Sequence, residues 1–171
     1  IHYPKNENDL KTATYRLKYD EHFFLQLLMA LKKKYNAEKK GTVFSKKGKY
    51  EKDIFNNLQF TLTNSQINVL KEIRSDLANK QPMNRLIQGD VGSGKTIVSI
   101  LAAAIVISHR AQVAVMAPTE ILAEQHYKSF KEFCKPIGIH IELLTGTIKK
   151  SKRSIIHSNL ESGEIQLIIG T

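Results

Sequence analysis

A single cysteine, Cys134, leaves this chain without an internal disulfide and without the thiols for a cysteine-rich metal site. No apolar run approaches the roughly 20 residues that a bilayer-spanning helix requires. The longest, Ile97–Ile107, has Ser99 inside it, so no membrane span is expected. The opening Ile1-His2-Tyr3-Pro4 has neither an initiator methionine nor a basic stretch leading into an apolar one. Nothing there points to export; a reducing, cytoplasmic setting and a piece of a longer protein are the expectations. Acidic side chains are scarce, 16 against 26 lysines and arginines, for a net charge of +10. With 42% hydrophobic and 25% charged residues, wholesale disorder is excluded. A length of 171 residues leaves room for one ordinary domain and an appendage.

The excess charge is spread along the chain: residues 1–60 hold 13 basic and 7 acidic side chains, residues 61–171 hold 13 and 9. Basic surfaces gather polyanions by counterion release, which makes nucleic acid the leading partner class, although scattered lysines also serve solubility. From Asn8 to about Tyr35 the residues Leu10, Leu17, Phe24 and Leu31 recur every seven positions. This predicts a long helix with one apolar stripe, capped by Asn8 or Asp9 and closed by Lys32-Lys33-Lys34 at the negative end of its dipole. Such a stripe is expected to pack on a neighbouring domain, making residues 1–35 a helical lead-in. Residues 36–57, with Ser45-Lys46-Lys47-Gly48-Lys49, show no sustained period and read as a basic linker or loop.

From residue 58 to 171 helices and strands alternate. Helices are expected at Thr63–Leu77, Lys95–Ser108, Glu120–Cys134 and Lys150–Leu160, and strands at Arg85–Gln88, Gln112–Ala117, His140–Leu144 and Gln166–Ile169. That order implies an α/β fold with a parallel sheet covered on both faces. No internal repeat or low-complexity tract interrupts it.

The most informative segment is Gly89-Asp90-Val91-Gly92-Ser93-Gly94-Lys95-Thr96, a full match to G-x-x-x-x-G-K-[ST] set between an expected strand and an expected helix. Glycines let the backbone curl so that amides face phosphate oxygens, and the helix that follows adds its positive end. Lys95 is then placed for the β- and γ-phosphates and Thr96 for Mg²⁺. Upstream, Thr63 and Gln66 have the spacing of a capping box, which needs no ligand. The Gln66 amide is equally suited to the edge of an adenine, with Phe60 packing on the base; the two uses are compatible.

Three further segments end apolar strands with small polar residues: Pro118-Thr119-Glu120, Thr145-Gly146 and Gly170-Thr171. Ligands bind at the carboxyl edge of parallel sheets, and a helix start such as Thr119 holds a nucleic-acid phosphate through its amides. Standing alone, the Pro118 segment would read as an ordinary strand-to-helix junction. Lys149-Lys150-Ser151-Lys152-Arg153 adds further cations beside Thr145-Gly146. His126 has Phe130 four residues on, not a second zinc ligand.

Taken together, these segments resemble superfamily 2 helicases, most closely the RecG-type branch-migrating DNA helicases. The likeness is carried by Gly89–Thr96, by Ala117–His126, by Phe60–Gln66 as the adenine-reading motif, and by Leu144-Thr145-Gly146 and Gly170-Thr171 as DNA-backbone motifs. It extends to Ile1–Lys5 and Arg16–Glu21. The transcription-repair coupling factor is spelled similarly but usually has a bulkier residue where Ser93 stands. The resemblance implies a RecA-like P-loop domain, incomplete here, using ATP and Mg²⁺ to translocate on duplex DNA and remodel forks and Holliday junctions in recombination and repair. It puts the Walker B carboxylates, the arginine finger, the second motor domain and the wedge domain outside residues 1–171. Residues 1–171 alone are therefore expected to be inactive and to self-associate, and the full-length protein to act as a monomer. The competing view is a P-loop ATPase motor with a client other than nucleic acid, which leaves Phe60–Gln66 and Pro118–His126 unexplained. A non-enzymatic docking piece would leave Lys95 and Thr96 unexplained.

Overall fold

The computed structural model describes residues 1–45 and 48–171, and of Asn36 and Ala37 only the backbone. The chain divides into two units, Ile1–Gly41 and Thr42–Thr171.

The first unit is one helix, α1 (Glu7–Glu38), longer than expected at both ends. Its cap is Asn6, whose side-chain oxygen accepts from the Asp9 amide at 2.8 Å, rather than Asn8 or Asp9. A helix that runs on to Glu38 places Lys32–Lys34 a turn before its end, and the last turn carries no base. Leu10, Leu17, Phe24 and Leu31 are all exposed. Tyr19 stacks on Phe23 with centroids 5.8 Å apart, and Arg16 pairs with Asp20 one turn on at 3.0 Å.

In the second unit, the expected loop over 36–57 contains a helix, α2 (Lys49–Asn56). Ile54 is the one apolar side chain of this charged octet that is fully buried, too little for a period to show. Gly48 precedes it because the chain passes against α4: a Cβ there would lie 2.5 Å from Ser108 Oγ. The same hydroxyl accepts from the Tyr50 amide at 3.1 Å. Lys46 and Lys47 lie outside the described residues.

Helix α3 (Asn64–Leu77) starts on a complete capping box, Thr63 with Gln66, and buries Leu70, Ile73 and Leu77. The segment Arg85–Gln88 is not a strand: no described strand lies beside it to form a ladder. It is held instead by charge, with Arg85 bridging Asp76 (2.7 Å) and Glu72 on α3. Helix α4 (Lys95–Ile107) is apolar nearly all round and central to the core. Then come β1 (Val113–Met116), α5 (Glu120–Cys134), a 3-10 turn at Lys135–Ile137, β2 (Ile141–Leu144), α6 (Lys150–Glu161) and β3 (Leu167–Gly170).

The three strands form a parallel sheet in the order β1-β3-β2, with Val113, Leu167 and Ile141 level at one end and Met116, Gly170 and Leu144 at the other. Helices α4 and α5 pack on the face that carries Val113, Val115, Leu167, Ile169, Ile141 and Leu143. Among the described residues the other face is covered only in part. Helix α6 reaches β2, whereas Ala114 and Met116 of β1 stay open, Met116 at 87% exposure. No described helix is long and apolar enough to cross a membrane.

Candidate nucleotide and nucleic-acid site

The phosphate loop owes its shape to two glycines in the left-handed region, Gly92 at φ +81° and Gly94 at φ +79°. At Gly94 the constraint is doubled, because a Cβ would lie 2.3 Å from Gln66 Nε2. The Ser93 amide closes the turn onto Asp90 O at 3.2 Å. Gly94 is also the N-cap of α4, and having no side chain it accepts nothing from the first helical amides. Helices α3 and α5, by contrast, cap themselves with Thr63 and Thr119. A helix start left open behind a glycine curl is suited to an anion. The Lys95 ammonium is bent back over the loop, donating to Gly89 O (2.7 Å) and Asp90 O (2.6 Å), so the cation stands where the loop curls.

Gln66 joins this loop to the segment upstream. Its Oε1 accepts from the Thr63 amide at 2.9 Å, the Thr63 hydroxyl accepts from the Gln66 amide at 3.2 Å, and its Nε2 donates to Ser93 O at 2.9 Å. The capping box and a tie to the phosphate loop are thus made by one side chain. A cavity of about 500 Å³ opens here, lined by Phe60, Gln66, Gly92, Ser93, Gly94 and Thr96. It lies within the usual range for small-molecule sites. Gly89, Asp90, Val91 and Lys95 form the remainder of the loop, and Val91 is fully exposed.

The cavity has a wall that pattern reading missed. Ser129, Glu132 and Phe133, from the last turns of α5, face the same space. The available signal was Phe133 following Phe130: Phe130 fills the core at 1% exposure, so a residue three positions on lies at the core's margin.

The remaining candidates gather elsewhere, at the carboxyl edge of the sheet. Pro118, Thr119 and Glu120 follow β1, Thr145 and Gly146 follow β2, and Thr171 follows β3, all just beyond the level of Met116, Leu144 and Gly170. The Thr119 hydroxyl accepts from the Leu122 amide at 3.3 Å, making it the α5 cap. Glu120 stands beside Gly146, where a Cβ would meet its carboxylate at 3.0 Å. Thr145 is buried, with its hydroxyl bonded to the Thr147 hydroxyl at 3.0 Å, and the exposed residue of the pair is Gly146. Arg153 donates to Thr145 O at 3.0 Å, which commits part of that guanidinium to shaping the loop. Gly170 is required by packing, since a Cβ would sit 2.1 Å from Leu144 O.

A curled phosphate loop opening an α4 helix, joined to an upstream glutamine and set in an α/β unit, defines a P-loop nucleotide-binding domain. The model of the DEAD/DEAH box helicases matches residues 63–171, and the chain belongs to that family. Within it, the chain is similar to ATP-dependent DNA helicases RecG. It is 44% identical to that of Aquifex aeolicus over 91% of this chain and 20% of the relative, and 42% identical to that of Synechocystis over 100% and 21%. A solved structure described as RecG bound to a three-way DNA junction matches with a TM-score of 0.86 at 41% identity, over 99% of this chain and 23% of that one. The chain spans about a fifth to a quarter of the length of these relatives.

Proposed function

We propose that this chain is the nucleotide-binding part of an ATP-dependent motor that remodels branched DNA in the manner of the RecG helicases it is similar to. The observation that carries the proposal is the Gln66 side chain, which ties the segment at Phe60–Thr63 to the phosphate loop through Ser93 O and lines one cavity with both. A P-loop ATPase with an unrelated client has no need of that link. ATP would supply the phosphoanhydride, and a Mg²⁺ ion held at Thr96 would neutralise its oxygens. In this scheme Lys95 leaves the carbonyls of Gly89 and Asp90 and pairs with the phosphates, while amides of Gly92–Thr96 hold their oxygens. Thr96 supplies the hydroxyl for the metal, and Phe60 and Gln66 receive the base.

Residues 1–35 are the helical lead-in and 58–171 the first part of the motor domain in this proposal, with α2 now occupying much of the stretch between. Pro118, Thr119, Glu120, Thr145, Gly146 and Thr171 border the DNA backbone. Amides do the holding there, because Glu120 repels phosphate and the Thr145 side chain is buried. The full-length protein works in the cytoplasm as a monomer. Steady-state ATP hydrolysis by the full-length protein tests this, compared without DNA and with single-stranded, linear duplex and three- or four-way branched DNA. The expected result is strong stimulation, greatest with branched DNA. Turnover indifferent to every DNA would sink the helicase proposal and leave only the phosphate loop.

A further inference from the structure

We propose that Arg153 is a positioning residue for DNA: by holding the Thr145 carbonyl it turns the Gly146 amide outward to take a backbone phosphate. This rests on the DNA-backbone role given above to the Thr145-Gly146 loop and names what sets that loop's orientation. Arg153 is the fourth residue of α6, and helical side chains lean back toward the N-terminus. Its guanidinium therefore reaches over the helix start, where it donates to Thr145 O at 3.0 Å. The one other donor to that oxygen among the described residues is the Ile148 amide, at a long 3.4 Å. Arg153 is thus the main hold on this carbonyl.

The Thr145 carbonyl and the Gly146 N–H belong to one planar trans peptide, so they point in opposite directions. Fixing the carbonyl toward α6 fixes the amide away from it. Among the described residues the Gly146 amide donates to nothing, the nearby Glu120 carboxylate included. Gly146 is exposed where Thr145 is buried. An exposed, unpartnered amide beyond the carboxyl edge of the sheet is suited to a DNA phosphate. The start of α6 gives a second, independent sign of an anion. Its first turn has no acidic residue and its cap, Lys149, makes no side-chain bond to the first amides. Instead Lys149, Lys150, Lys152 and Arg153 crowd the positive end of the helix dipole. Cations there cost stability, a local cost that a docked polyanion offsets.

The test measures the affinity of the full-length protein for duplex DNA by fluorescence anisotropy, at about 50 and about 200 mM salt. Lys152→Ala serves as the reference, because it removes the same charge one residue away without touching Thr145 O. Its loss should shrink as salt screens the charge. Arg153→Ala should weaken binding at least about tenfold more than Lys152→Ala, and that excess should persist at the higher salt, because a misdirected amide is not a screened charge. Arg153→Lys keeps one donor, which is all that Thr145 O needs, and should bind within about threefold of wild type. If melting shows that Arg153→Ala does not fold, Arg153→Met, which keeps the aliphatic stem, takes its place. Equal losses in the Arg153 and Lys152 variants at both salt concentrations overturn the positioning role and leave the DNA-backbone role standing. So does an Arg153→Lys variant as weak as Arg153→Ala. Wild-type protein that binds no duplex DNA overturns both.

Discussion

Two residues show how much a single position here is constrained. Gly94 must hold φ +79° and leave room for Gln66 Nε2. A β-carbon in the left-handed region costs about 1–2 kcal/mol before any clash. Gly94→Ala should therefore lower stability by about that amount or more and push Gln66 away from Ser93 O. Thermal melting would register the first effect. Titration with a fluorescent ATP analogue would register the second as weakened binding at temperatures where the fold is intact. Wild-type affinity in a variant of lowered melting temperature would mean that Gln66 is no part of the site. Cys134, 1% exposed, is the opposite case: burial raises its pKa from 9.0 to about 12. The folded state then keeps the proton that the unfolded state loses, so the contribution is fully present below pH 9 and is lost as pH rises toward 12. Cys134 should be inert to thiol reagents at pH 8 until denaturant is added. Melting temperature should fall across pH 9–12 less steeply in Cys134→Ala than in wild type, measured from each variant's own pH 8 value.

At the scale of elements, sequence pattern placed what has a period or a cap, and failed where tertiary contact makes the structure. Helix α5 was placed at Glu120–Cys134, as found, because an apolar face and the Thr119 cap are both local signals. The capping box at Thr63 and Gln66 was legible for the same reason. Arg85–Gln88 looked like a strand from its apolar centre, yet a strand exists only with a neighbour, and what fixes this segment is the ion pairing of Arg85 with α3. Helix α2 had too few apolar residues to show. It packs on α4 with Ile54, 1% exposed, in the core, and Glu51, 8% exposed, pairs with Arg74 of α3. Removing the cation strands a buried carboxylate, whereas neutralising the carboxylate leaves an arginine that reaches water. Arg74→Met should accordingly cost about 1–2 kcal/mol and Glu51→Gln clearly less, by denaturant unfolding. Equal losses would mean that the pair acts only through packing. Helix α5 shows what pattern reading leaves out: its start caps the sheet-edge loops and its end walls the cavity, about 20 Å apart along one rigid rod. Amphipathicity located its core face, but the role of each end came only from what the fold brought beside it.

For residues 1–171 as a whole, two surface properties oppose each other. The net charge of +10 keeps copies apart, while open apolar surface invites them together: Met116 on the bare face of β1, Leu86 and Val91 beside the phosphate loop, and the stripe of α1. Salt screens the first within about 10 Å at 0.1 M and strengthens or leaves intact the second. Raising sodium chloride from about 50 to about 500 mM should therefore increase the mass of residues 1–171 measured by light scattering. DNA binding should move the other way, because each phosphate neutralised by a lysine or arginine gives back a counterion. On the proposed function, with Lys149, Lys150, Lys152 and Arg153 beside the Thr145-Gly146 loop supplying several such contacts, affinity for duplex DNA should fall by at least about 100-fold over the same range. The two slopes separate explanations that either alone would confuse. A mass that stays monomeric throughout would show that the apolar surface is too dispersed to associate. DNA affinity insensitive to salt would remove phosphate contact as the basis of binding and turn attention from the sheet-edge amides to the bases.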